Sequence, residues 1–498
     1  MIDLPGMVPR NDPSLVTTQT IYAPCSGRGQ AAIVVIRLSG CQAGMVVSAL
    51  TGGELPPSRQ ARLRRICDPV SGEEIDRGLV VWFPAPHSFT GEDMAELHLH
   101  GSGAVTARIM EILSQQPHMC LAEAGEFTRR AFENGKIDLT SAEGIADLVA
   151  AETEAQRVQA LRQMEGALGR HYESWRSKLV TALAHMEAGI DFSDEDLPPR
   201  LVARNFDDIL MVYNEITQHL NDKCRGERLR EGICVTILGP PNVGKSSLLN
   251  ALAQKDAAIV TSTSGTTRDV IEVHLDLGGY PVTLVDTAGL RASTDEVENE
   301  GVRRAVEKAR KADIKLVVIS PDVSPTHCEE ALRFCDGEAL LLLNKNDLLP
   351  DFPEFEFQLG WQSYETQGNL SMSVKTGAGL PQLLECLENR FREWFSHLSS
   401  ETPSLTRHRH RQALEECQAC LARVLDRIKS EASPEKTAFA GADGTSLDHA
   451  STAPQGPVDG ELAAEDLRLA TRCLGRITGR VDVEDVLDVI FSDFCIGK

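Results

Sequence analysis

The sequence predicts a multidomain protein with an α+β domain at its N-terminus, an all-α helical domain, and an α/β domain inserted into the helical one. Its 498 residues suffice for about three domains of roughly 100 to 200 residues each. Near residue 232 a charged helical stretch gives way to the apolar run from Ile233 to Leu238, which is typical of a buried strand. From there to about residue 390, strand-like and helical runs alternate, which indicates a parallel sheet covered on both faces. The predicted bounds are 1–137 for the first domain, 231–395 for the inserted domain, and 138–230 with 396–498 for the two parts of the helical domain.

In the N-terminal domain, short β-rich segments are mixed with helical ones and separated by Gly and Pro turn signals. The strand-like segments are Ala31 to Arg37, Gly78 to Phe83 and Ala95 to His100. This mixture predicts an α+β arrangement.

The helical domain is predicted from apolar residues at helical spacing. One set, Leu179, Leu183, Met186 and Ile190, keeps a 4-3-4 spacing, and a second set is expected to share one face: Ile145, Leu148, Val149, Ala155 and Val158. The acid- and proline-rich stretch 191–199 should end a helix. Helices are also expected over Gln412 to Ile428 and Gly460 to Leu474, with a flexible insertion from Glu431 to Asp459 between them.

Composition limits the classes of function. With 50 Lys and Arg against 73 Asp and Glu, the formal charge of −23 opposes direct binding of a phosphate backbone as the default activity of the surface. A nucleic-acid partner would therefore need a local basic patch or a second protein. No run approaches the ~18 apolar residues of a membrane span, and the N-terminus does not have the pattern of a secretory signal. The 13 Cys, an odd number, favour reduced thiols, and we expect a cytoplasmic protein.

A phosphate-binding loop is predicted directly after the strand-like run 233–238. The segment from Gly239 to Ser246, GPPNVGKS, fits a glycine-rich turn between a strand and a helix. In such a turn the backbone N–H groups point at the phosphates, Lys245 adds a point charge, and the Ser246 hydroxyl can reach magnesium. The candidate nucleotide ligands here are Asn242, Val243, Gly244, Lys245, Ser246 and Ser247.

Three later segments point to a guanine nucleotide. The segment Asp286, Thr287, Ala288 and Gly289 places a carboxylate near magnesium and a Gly N–H near the γ-phosphate. In the segment Asn344, Lys345, Asn346 and Asp347, the Asp347 carboxylate can accept two N–H bonds from guanine, whereas adenine lacks the 2-amino group. The tripeptide Ser373, Val374 and Lys375 would offer a backbone N–H to the guanine oxygen. The sequence therefore predicts GTP rather than ATP.

The residue that follows Gly289 raises a question about hydrolysis. Leu290 stands where GTPases of the Ras type carry a glutamine that orients the attacking water, and an apolar side chain cannot do this. Either hydrolysis is very slow, or another residue supplies the polar group. The acidic stretch 295–298, which ends at Glu298, lies within loop reach, although a solvated acidic loop is an equally simple interpretation.

A hydroxyl-rich loop precedes these segments and comprises Thr261, Ser262, Thr263, Ser264, Gly265, Thr266, Thr267, Arg268 and Asp269. Thr267 is a natural ligand for magnesium and the γ-phosphate. The other oxygens, with the Asn242 side chain, could hold a monovalent cation that supplies positive charge in place of an arginine finger. An ordinary switch loop is the alternative, and the residues alone leave both open.

Together these motifs resemble the MnmE (TrmE) family of bacterial tRNA-modification GTPases. The resemblance is carried by the phosphate loop with Asn242, by the segments 265–269 and 286–291, and by the C-terminal FCIGK of residues 494–498. The segments FTGED at 89–93 and GEFTRRAFENGK at 125–136 are similar to that family as well. Nearly the whole chain is covered, apart from roughly the first 17 residues and the insertion 431–459.

The resemblance implies a homodimer whose N-terminal domain is similar to folate-dependent aminomethyl-transfer domains. That domain would bind a tetrahydrofolate derivative in its 5-formyl or 5,10-methylene form. By motif position, the folate contacts would be Arg37, Glu96, Lys136 and Lys498. A glutamylated pteridine offers carboxylates to Arg and Lys and a ring edge to Glu96, so the chemistry is compatible.

The resemblance also implies that the GTPase domains pair in a potassium-dependent way as the transition state is reached. The potassium ligands would be Asn242, Thr261, Thr263 and Thr266, and the magnesium ligands would be Ser246 and Thr267. Glu298 would orient the attacking water, which answers the question that Leu290 raises. Cys495 would belong to the modification chemistry, either as a nucleophile or as a supporting group.

The implied reaction adds a carboxymethylaminomethyl or aminomethyl group to carbon 5 of the wobble uridine of certain tRNAs. An FAD-binding partner, MnmG (GidA), would supply redox chemistry and most of the tRNA-binding surface in a heterotetrameric complex. Two alternatives stay open: a regulatory GTPase of ribosome assembly, and a folate-dependent methyltransferase in which GTP only regulates. The lack of a recognisable RNA-binding module beside the GTPase domain weighs against the first.

Three other patterns receive structural interpretations. Cys417 and Cys420 lie on a predicted helix without a second Cys pair nearby, which disfavours a zinc or redox site. His98 and His100 share a strand face but lack a third metal ligand, so buried or hydrogen-bonded histidines are expected. The basic run 407–411 fits a contact with tRNA or the partner and a solvated helix start equally well.

Overall fold

The computed structural model describes residues 19–27, 29–191, 199–222, 224–255, 271–286, 312–351, 368–396, 403–431, 460–481, 487, 490–491, 494 and 497. The chain forms two compact units. One comprises Met1–Ala146, Met164–Ser174 and Leu474–Lys498, and the other comprises Asp147–Gln163 and Trp175–Cys473.

A six-stranded sheet organises the N-terminal region. Its strands are β1 Thr20–Pro24, β2 Ile33–Ser39, β3 Arg62–Cys67, β4 Glu74–Phe83, β5 Met94–His100 and β6 Met119–Leu121. The order across the sheet is β3-β4-β5-β2-β1-β6, and every neighbouring pair is antiparallel except β1 with β6. Ile36 and Leu97 are fully buried on one face, whereas the paired residues Arg37 and Glu96 lie on the other. This alternation is typical of an antiparallel sheet whose main core lies on one face.

Three helices accompany this sheet: α1 Ala43–Thr51, α2 Gly103–Ser114 and α3 Glu126–Glu133. Val47 and Leu50 of α1 and Ile109 of α2 join the buried sheet residues in one apolar core. The predicted α+β class is confirmed, and the three predicted strands correspond to β2, β4 and β5. The other strands were not predicted, because β1 and β6 are short and β3 has the charged sequence RLRRIC.

Five helices follow: α4 Leu139–Ala150, α5 Glu154–Met164, α6 Ala167–Asp191, α7 Pro199–Leu220 and α8 Arg225–Glu231. As predicted, one helix ends at Asp191, and Leu179 is fully buried on it. The prediction that Ile145 to Val158 share one helical face is wrong, because the helix stops before Thr153. There the backbone N–H groups of Glu152 and Thr153 donate to the Gln156 side-chain oxygen, at 3.0 and 3.1 Å. This contact caps the N-terminus of a new helix.

The inserted domain contains a second six-stranded sheet. Its strands are β7 Ile233–Leu238, β8 Ile271–Leu277, β9 Tyr280–Asp286, β10 Ile314–Ile319, β11 Ala339–Leu343 and β12 Gly368–Ser371, in the order β12-β11-β10-β7-β9-β8. The parallel sheet was predicted, and β7, β10 and β11 have the predicted bounds. The edge strand β8 is antiparallel to β9, because only the two glycines 278–279 connect them.

Helices cover both faces of this sheet. They are α9 Lys245–Lys255, α10 Pro325–Leu332 and α11 Leu380–Phe395. Leu252 and Leu387 pack with Leu316 in one core cluster, whereas Leu332 packs with Val317 in another. Successive residues of β10 therefore face opposite layers, as expected for a strand that is buried on both sides.

Two long helices complete the description, α12 His408–Glu431 and α13 Gly460–Thr478, and α12 packs against α7. Both contain the predicted helical segments. The predicted flexible insertion lies outside the described residues, apart from Glu431, which ends α12. None of the described helices is long and apolar enough to cross a membrane. Within the described ranges, no group of three or more His, Cys, Asp or Glu side chains is arranged to hold a metal ion.

Candidate functional site

The phosphate loop lies between the end of β7 at Leu238 and the start of α9 at Lys245. Two of its glycines are required by the backbone: a Cβ at Gly239 would lie 2.2 Å from the Val318 carbonyl oxygen, and one at Gly244 would lie 2.4 Å from Asn344 Nδ2. Asn242 also has a positive φ of 66°, which asparagine tolerates better than most residues. The loop thus exposes its backbone at the N-terminus of α9, where N–H groups are available to an anion.

Lys245 and the two serines after it stand in the first turn of α9. The Lys245 ammonium group donates to the carbonyl oxygens of Gly239 and Pro240, at 2.8 Å each. Ser246 and Ser247 are exposed on the same turn. The first turn of α9 therefore carries an ammonium group and two hydroxyl groups, which are the side chains that the phosphate-loop pattern requires.

Asn344 joins three segments that are distant in the chain. Its side-chain amide donates to the Val243 carbonyl at 2.7 Å and accepts from the Val374 backbone N–H at 3.0 Å. Its own backbone N–H donates to the Ile319 carbonyl at 2.8 Å, and the residue is only 2% exposed. The phosphate loop, the predicted base motif and the predicted last loop therefore meet at one buried amide.

Lys345 makes a second connection to the phosphate loop. Its ammonium group donates to the Asn242 carbonyl at 2.7 Å and to the Asp322 carboxylate at 2.6 Å. Burial raises the pKa of Asp322, but hydrogen bonds from Lys345 and Ser320 lower it by more, so that its pKa lies below the usual value. Asp322 was not predicted, because nothing in the sequence relates it to the site except its position shortly after β10.

The remaining base-side residues lie beside this connection. Asp347 is exposed in the 3-10 turn Asn346–Asp351, so its carboxylate is accessible. Ser373 is fully buried, and its backbone N–H donates to the Ala378 carbonyl at 2.9 Å, which folds the loop that contains Val374 and Lys375.

The predicted magnesium-side carboxylate, Asp286, lies within the described residues. Asp286 ends β9 and lies opposite Ile237 in the parallel register. The following residues fall outside the described part of the chain: Thr261, Ser262, Thr263, Ser264, Gly265, Thr266, Thr267, Thr287, Ala288, Gly289, Leu290, Glu298, Cys495 and Lys498.

In the N-terminal region, Arg37 and Glu96 form a cross-strand pair on the face of the sheet opposite the main core. Arg37 donates through Nε and Nη2 to Glu96 Oε1, at 3.0 and 2.8 Å. The Arg37 guanidinium group also lies 5.6 Å from the ring centres of both Phe89 and Phe127. Two of the predicted folate ligands are therefore adjacent, and the two Phe residues come from the motifs at 89–93 and 125–136.

An ion-pair network around one buried arginine connects these two motifs. Arg130, which is 4% exposed, pairs with Glu92 and Glu126, each at 3.1 Å. Glu92 in turn accepts a hydrogen bond from the Ser39 hydroxyl at 2.6 Å. Lys136, the third predicted ligand, lies beside this loop, since a Cβ at Gly91 would stand 3.0 Å from Lys136 Cε. The motif residues thus hold the loops beside Arg37.

The C-terminal segment contacts the same region. A Cβ at Gly125 would lie 2.6 Å from the Phe491 carbonyl oxygen, and the Cys25 thiol donates to the Gly497 carbonyl at 2.9 Å. Cys25 directly follows β1, which pairs with the strand of Arg37. Cys25 was not predicted, because nothing in its local sequence relates it to a residue 472 positions away.

The other patterns have structural roles. Cys417 is fully buried, and burial raises the pKa of its thiol well above the usual value, which disfavours a reactive thiolate. In the basic run, Arg407 pairs with Asp147 at 2.7 Å and Arg411 with Asp222 at 2.7 Å. These two arginines therefore serve intramolecular ion pairs.

Comparison with known proteins identifies the family. The family model described as "MnmE helical domain" matches residues 139–440 and 444–495, and the one described as "GTP-binding protein TrmE N-terminus" matches residues 20–136. A Parvibaculum lavamentivorans protein named tRNA modification GTPase MnmE is 50% identical over 96% of this chain and 100% of its own length. The chain belongs to the MnmE family.

Two further MnmE-family relatives show the breadth of the match. A Paramagnetospirillum magneticum protein of the same name is 50% identical over 97% of this chain and 100% of its own length. A zebrafish (Danio rerio) protein is 44% identical over 96% of this chain and 93% of its own, and it is named 5-taurinomethyluridine-[tRNA] synthase subunit GTPB3, mitochondrial. The predicted family is therefore confirmed. The phosphate loop and the cluster at Arg37 belong to the same MnmE-family chain.

Proposed function

We propose that this protein hydrolyses GTP as part of a tRNA-modification reaction. The observation that carries the proposal is the convergence at Asn344, where one buried amide joins the phosphate loop to both guanine-recognition segments. A nucleotide that touches all three segments would be held at its phosphates and at its base. Membership of the MnmE family, whose named relatives are tRNA modification GTPases, supports the same activity.

The residues around the nucleotide are assigned by their place in the motifs. Lys245 and the N–H groups of Asn242 to Ser247 would bind the phosphates, and Asp347 with the loop at Ser373 to Lys375 would bind guanine. Ser246, Thr267 and Asp286 suit magnesium, which prefers oxygen ligands. Asn242, Thr261, Thr263 and Thr266 would bind potassium, and Glu298 would orient the attacking water. Magnesium and potassium supply positive charge that offsets the charge developing on the phosphates.

We further propose that the N-terminal domain binds a tetrahydrofolate derivative at Arg37, Glu96, Lys136 and Lys498. The Arg37–Glu96 pair has side chains that are 21% and 15% exposed, so both can be reached from solvent. A charged donor next to a carboxylate suits a molecule with both acidic groups and ring N–H groups. The bound folate would supply the one-carbon unit, and Cys495 would take part in the chemistry.

The proposed product carries a carboxymethylaminomethyl or aminomethyl group on carbon 5 of the wobble uridine. The name of the zebrafish relative, a subunit of a tRNA uridine synthase, supports a uridine in tRNA as the substrate. The charge of −23 supports a second protein as the main tRNA-binding surface, and the FAD-binding MnmG is the proposed partner in a heterotetramer. The location would be the cytoplasm.

We propose the domain bounds predicted above, with dimerisation through the N-terminal domain. The part of its sheet formed by β3 and β4 supports a homodimer, because Leu63 and Leu79 pair there, on the face opposite the main core, and are 67% and 43% exposed. Exposed neighbouring apolar residues of this kind often mark an interface.

The test is mass spectrometry of tRNA nucleosides from cells that lack this protein and are complemented with wild type or Cys495→Ser. We expect the wobble-uridine modification to disappear in the deletion strain and to return only with the wild type. An unchanged nucleoside profile would refute the modification role and direct attention to ribosome subunit profiles.

A further inference from the structure

The two carboxylate oxygens of Glu96 have different partners. Oε1 accepts both hydrogen bonds from Arg37, whereas Oε2 lies 3.3 Å from Nε2 of His98. His98 is two residues further along β5, so its side chain leaves the same face of the sheet. Among the described residues, Arg37 and His98 are the only side chains that bond to Glu96.

This division of partners affects what Glu96 can offer to a ligand. An arginine beside a carboxylate tends to form a two-pronged pair that engages both oxygens. Here Nε and Nη2 of Arg37 are both directed at Oε1, at 3.0 and 2.8 Å. Because each carboxylate oxygen has about two lone-pair sites, Oε2 keeps one site after it bonds to His98. A ring N–H of a ligand could be accepted there.

His98 is also placed to fix the orientation of the carboxylate. Its backbone lies opposite Val35 on β2 and Leu79 on β4, so the strand that carries it is held on both sides. The His98 side chain is 31% exposed, against 15% for Glu96, so it lies nearer the solvent edge of the pair. The histidine side chain has two rotatable bonds against four in arginine, so on a paired strand it holds its imidazole N–H with less conformational freedom.

We propose that His98 is a positioning residue for Glu96. By bonding to Oε2 it confines Arg37 to Oε1, and it leaves one lone pair of Oε2 available to a tetrahydrofolate ring. This inference rests on the proposed folate function and deepens it. His98 itself acts through Glu96. The sequence pattern predicts a buried or hydrogen-bonded histidine at this position, and the structure shows that its partner is Glu96.

His100 provides a matched control. It lies on the same strand and face, two residues beyond His98, but its Nδ1 lies 2.7 Å from Asp76 Oδ1 rather than near Glu96. It is more exposed than His98, at 72% against 31%. A change at His100 therefore alters the same sheet face without removing the bond to Glu96.

The experiment measures binding of 5-formyltetrahydrofolate to the purified full-length protein by calorimetry, for wild type, His98→Leu, His98→Gln and His100→Leu. We expect His98→Leu to weaken binding about tenfold, the value of one hydrogen bond to a charged group. His98→Gln keeps an N–H donor and should restore affinity to within about threefold of wild type. His100→Leu should bind as wild type does, and all four proteins should keep equal GTP turnover and equal dimer mass.

Three results would overturn the inference. Equal binding by His98→Leu and wild type would remove the positioning role while leaving the folate proposal intact. A His98→Gln variant that binds no better than His98→Leu would indicate packing rather than a hydrogen bond. A wild-type protein with normal GTP turnover that binds no folate would refute the folate proposal and this inference with it. If His98→Leu does not fold, His98→Asn, which is too short to reach Glu96, makes the same comparison.

Discussion

At Asn344, a single amide side chain bonds to residues 101 and 30 positions away in the chain. Both partners are backbone groups in loops, so their positions depend on this contact more than on regular secondary structure. Lys345 repeats the connection one residue later through the Asn242 carbonyl and Asp322. At the residue scale, the nucleotide site is therefore held by side chains that bridge separate loops.

The first prediction concerns Asn344→Ala. The substitution leaves the Val243 carbonyl and the Val374 N–H without their partner, and each unpaired buried group costs about 1 to 3 kcal/mol. We expect GTP affinity to fall about 10- to 100-fold in a fluorescent-nucleotide titration. Asn346→Ala, two residues away, should retain wild-type affinity. Equal affinity in the two variants would contradict the bridging role of Asn344.

The second prediction concerns Glu298→Ala. If this carboxylate orients the attacking water in place of the glutamine that Leu290 replaces, its removal should lower the turnover number about 100-fold or more. GTP affinity should stay unchanged, because the contact would be made with water rather than with the nucleotide. Single-turnover kinetics with Glu296→Ala as the control would test it. Normal turnover in Glu298→Ala would return the role to another residue.

At the element scale, the end of β1 and the residue that follows it, Cys25, contact Gly497 near the C-terminus. Gly497 has a φ of 104°, and a Cβ there would lie 2.3 Å from the Pro24 carbonyl oxygen. Pro24 pairs with Ile36, the neighbour of Arg37, so the terminus is anchored one strand away from the cluster. Gly497 is thus held against the strand next to that of Arg37.

The third prediction is that Gly497→Ala abolishes most wobble-uridine modification in complemented cells. The added Cβ must move the terminus away from β1, because the atom it meets is backbone. GTP turnover of the purified protein should be unchanged. Gly72→Ala, which also has a positive φ but has no atom within 4 Å of the added Cβ, is the control and should keep both activities. Full modification in cells that carry Gly497→Ala would show that the contact is dispensable.

At the scale of the whole molecule, the two proposed sites have different chemistry, with backbone N–H groups and Lys245 at one and the Arg37–Glu96 pair at the other. The surface as a whole is acidic, with a formal charge of −23. Cations at the nucleotide site would therefore be important, since GTP adds further negative charge.

The fourth prediction concerns the monovalent cation. GTP turnover by the purified wild-type protein should be at least about tenfold faster in potassium chloride than in sodium chloride at equal ionic strength, because a bound potassium ion would stabilise charge in the transition state. GTP affinity should differ little between the two salts. Asn242→Ala, which removes one proposed potassium ligand, should reduce the difference in turnover. Equal turnover of the wild type in both salts would refute the cation site.

The sequence by itself determined the fold class, the family and most of the nucleotide motifs. Strands β7, β10 and β11 were predicted to the residue because they are buried on both faces and their sequences are apolar runs, interrupted only by Thr236 in β7 and Lys315 in β10. The phosphate loop and the base motif follow such runs directly, so local pattern was sufficient to locate them. The charged strand β3 and the break before Thr153 were missed, because sheet pairing and a side-chain cap outweigh hydrophobic periodicity there.

Only the tertiary structure decided which polar groups meet. Asp322 with Lys345, His98 with Glu96, and Cys25 with Gly497 are contacts of different sequence separation, and none is marked by a motif of its own. Local periodicity reports which residues are buried, since burial of apolar surface drives folding. Hydrogen bonds and ion pairs depend instead on distances of about 3 Å between particular atoms. Those distances are set by strand register and loop geometry, which exist only once the chain has folded.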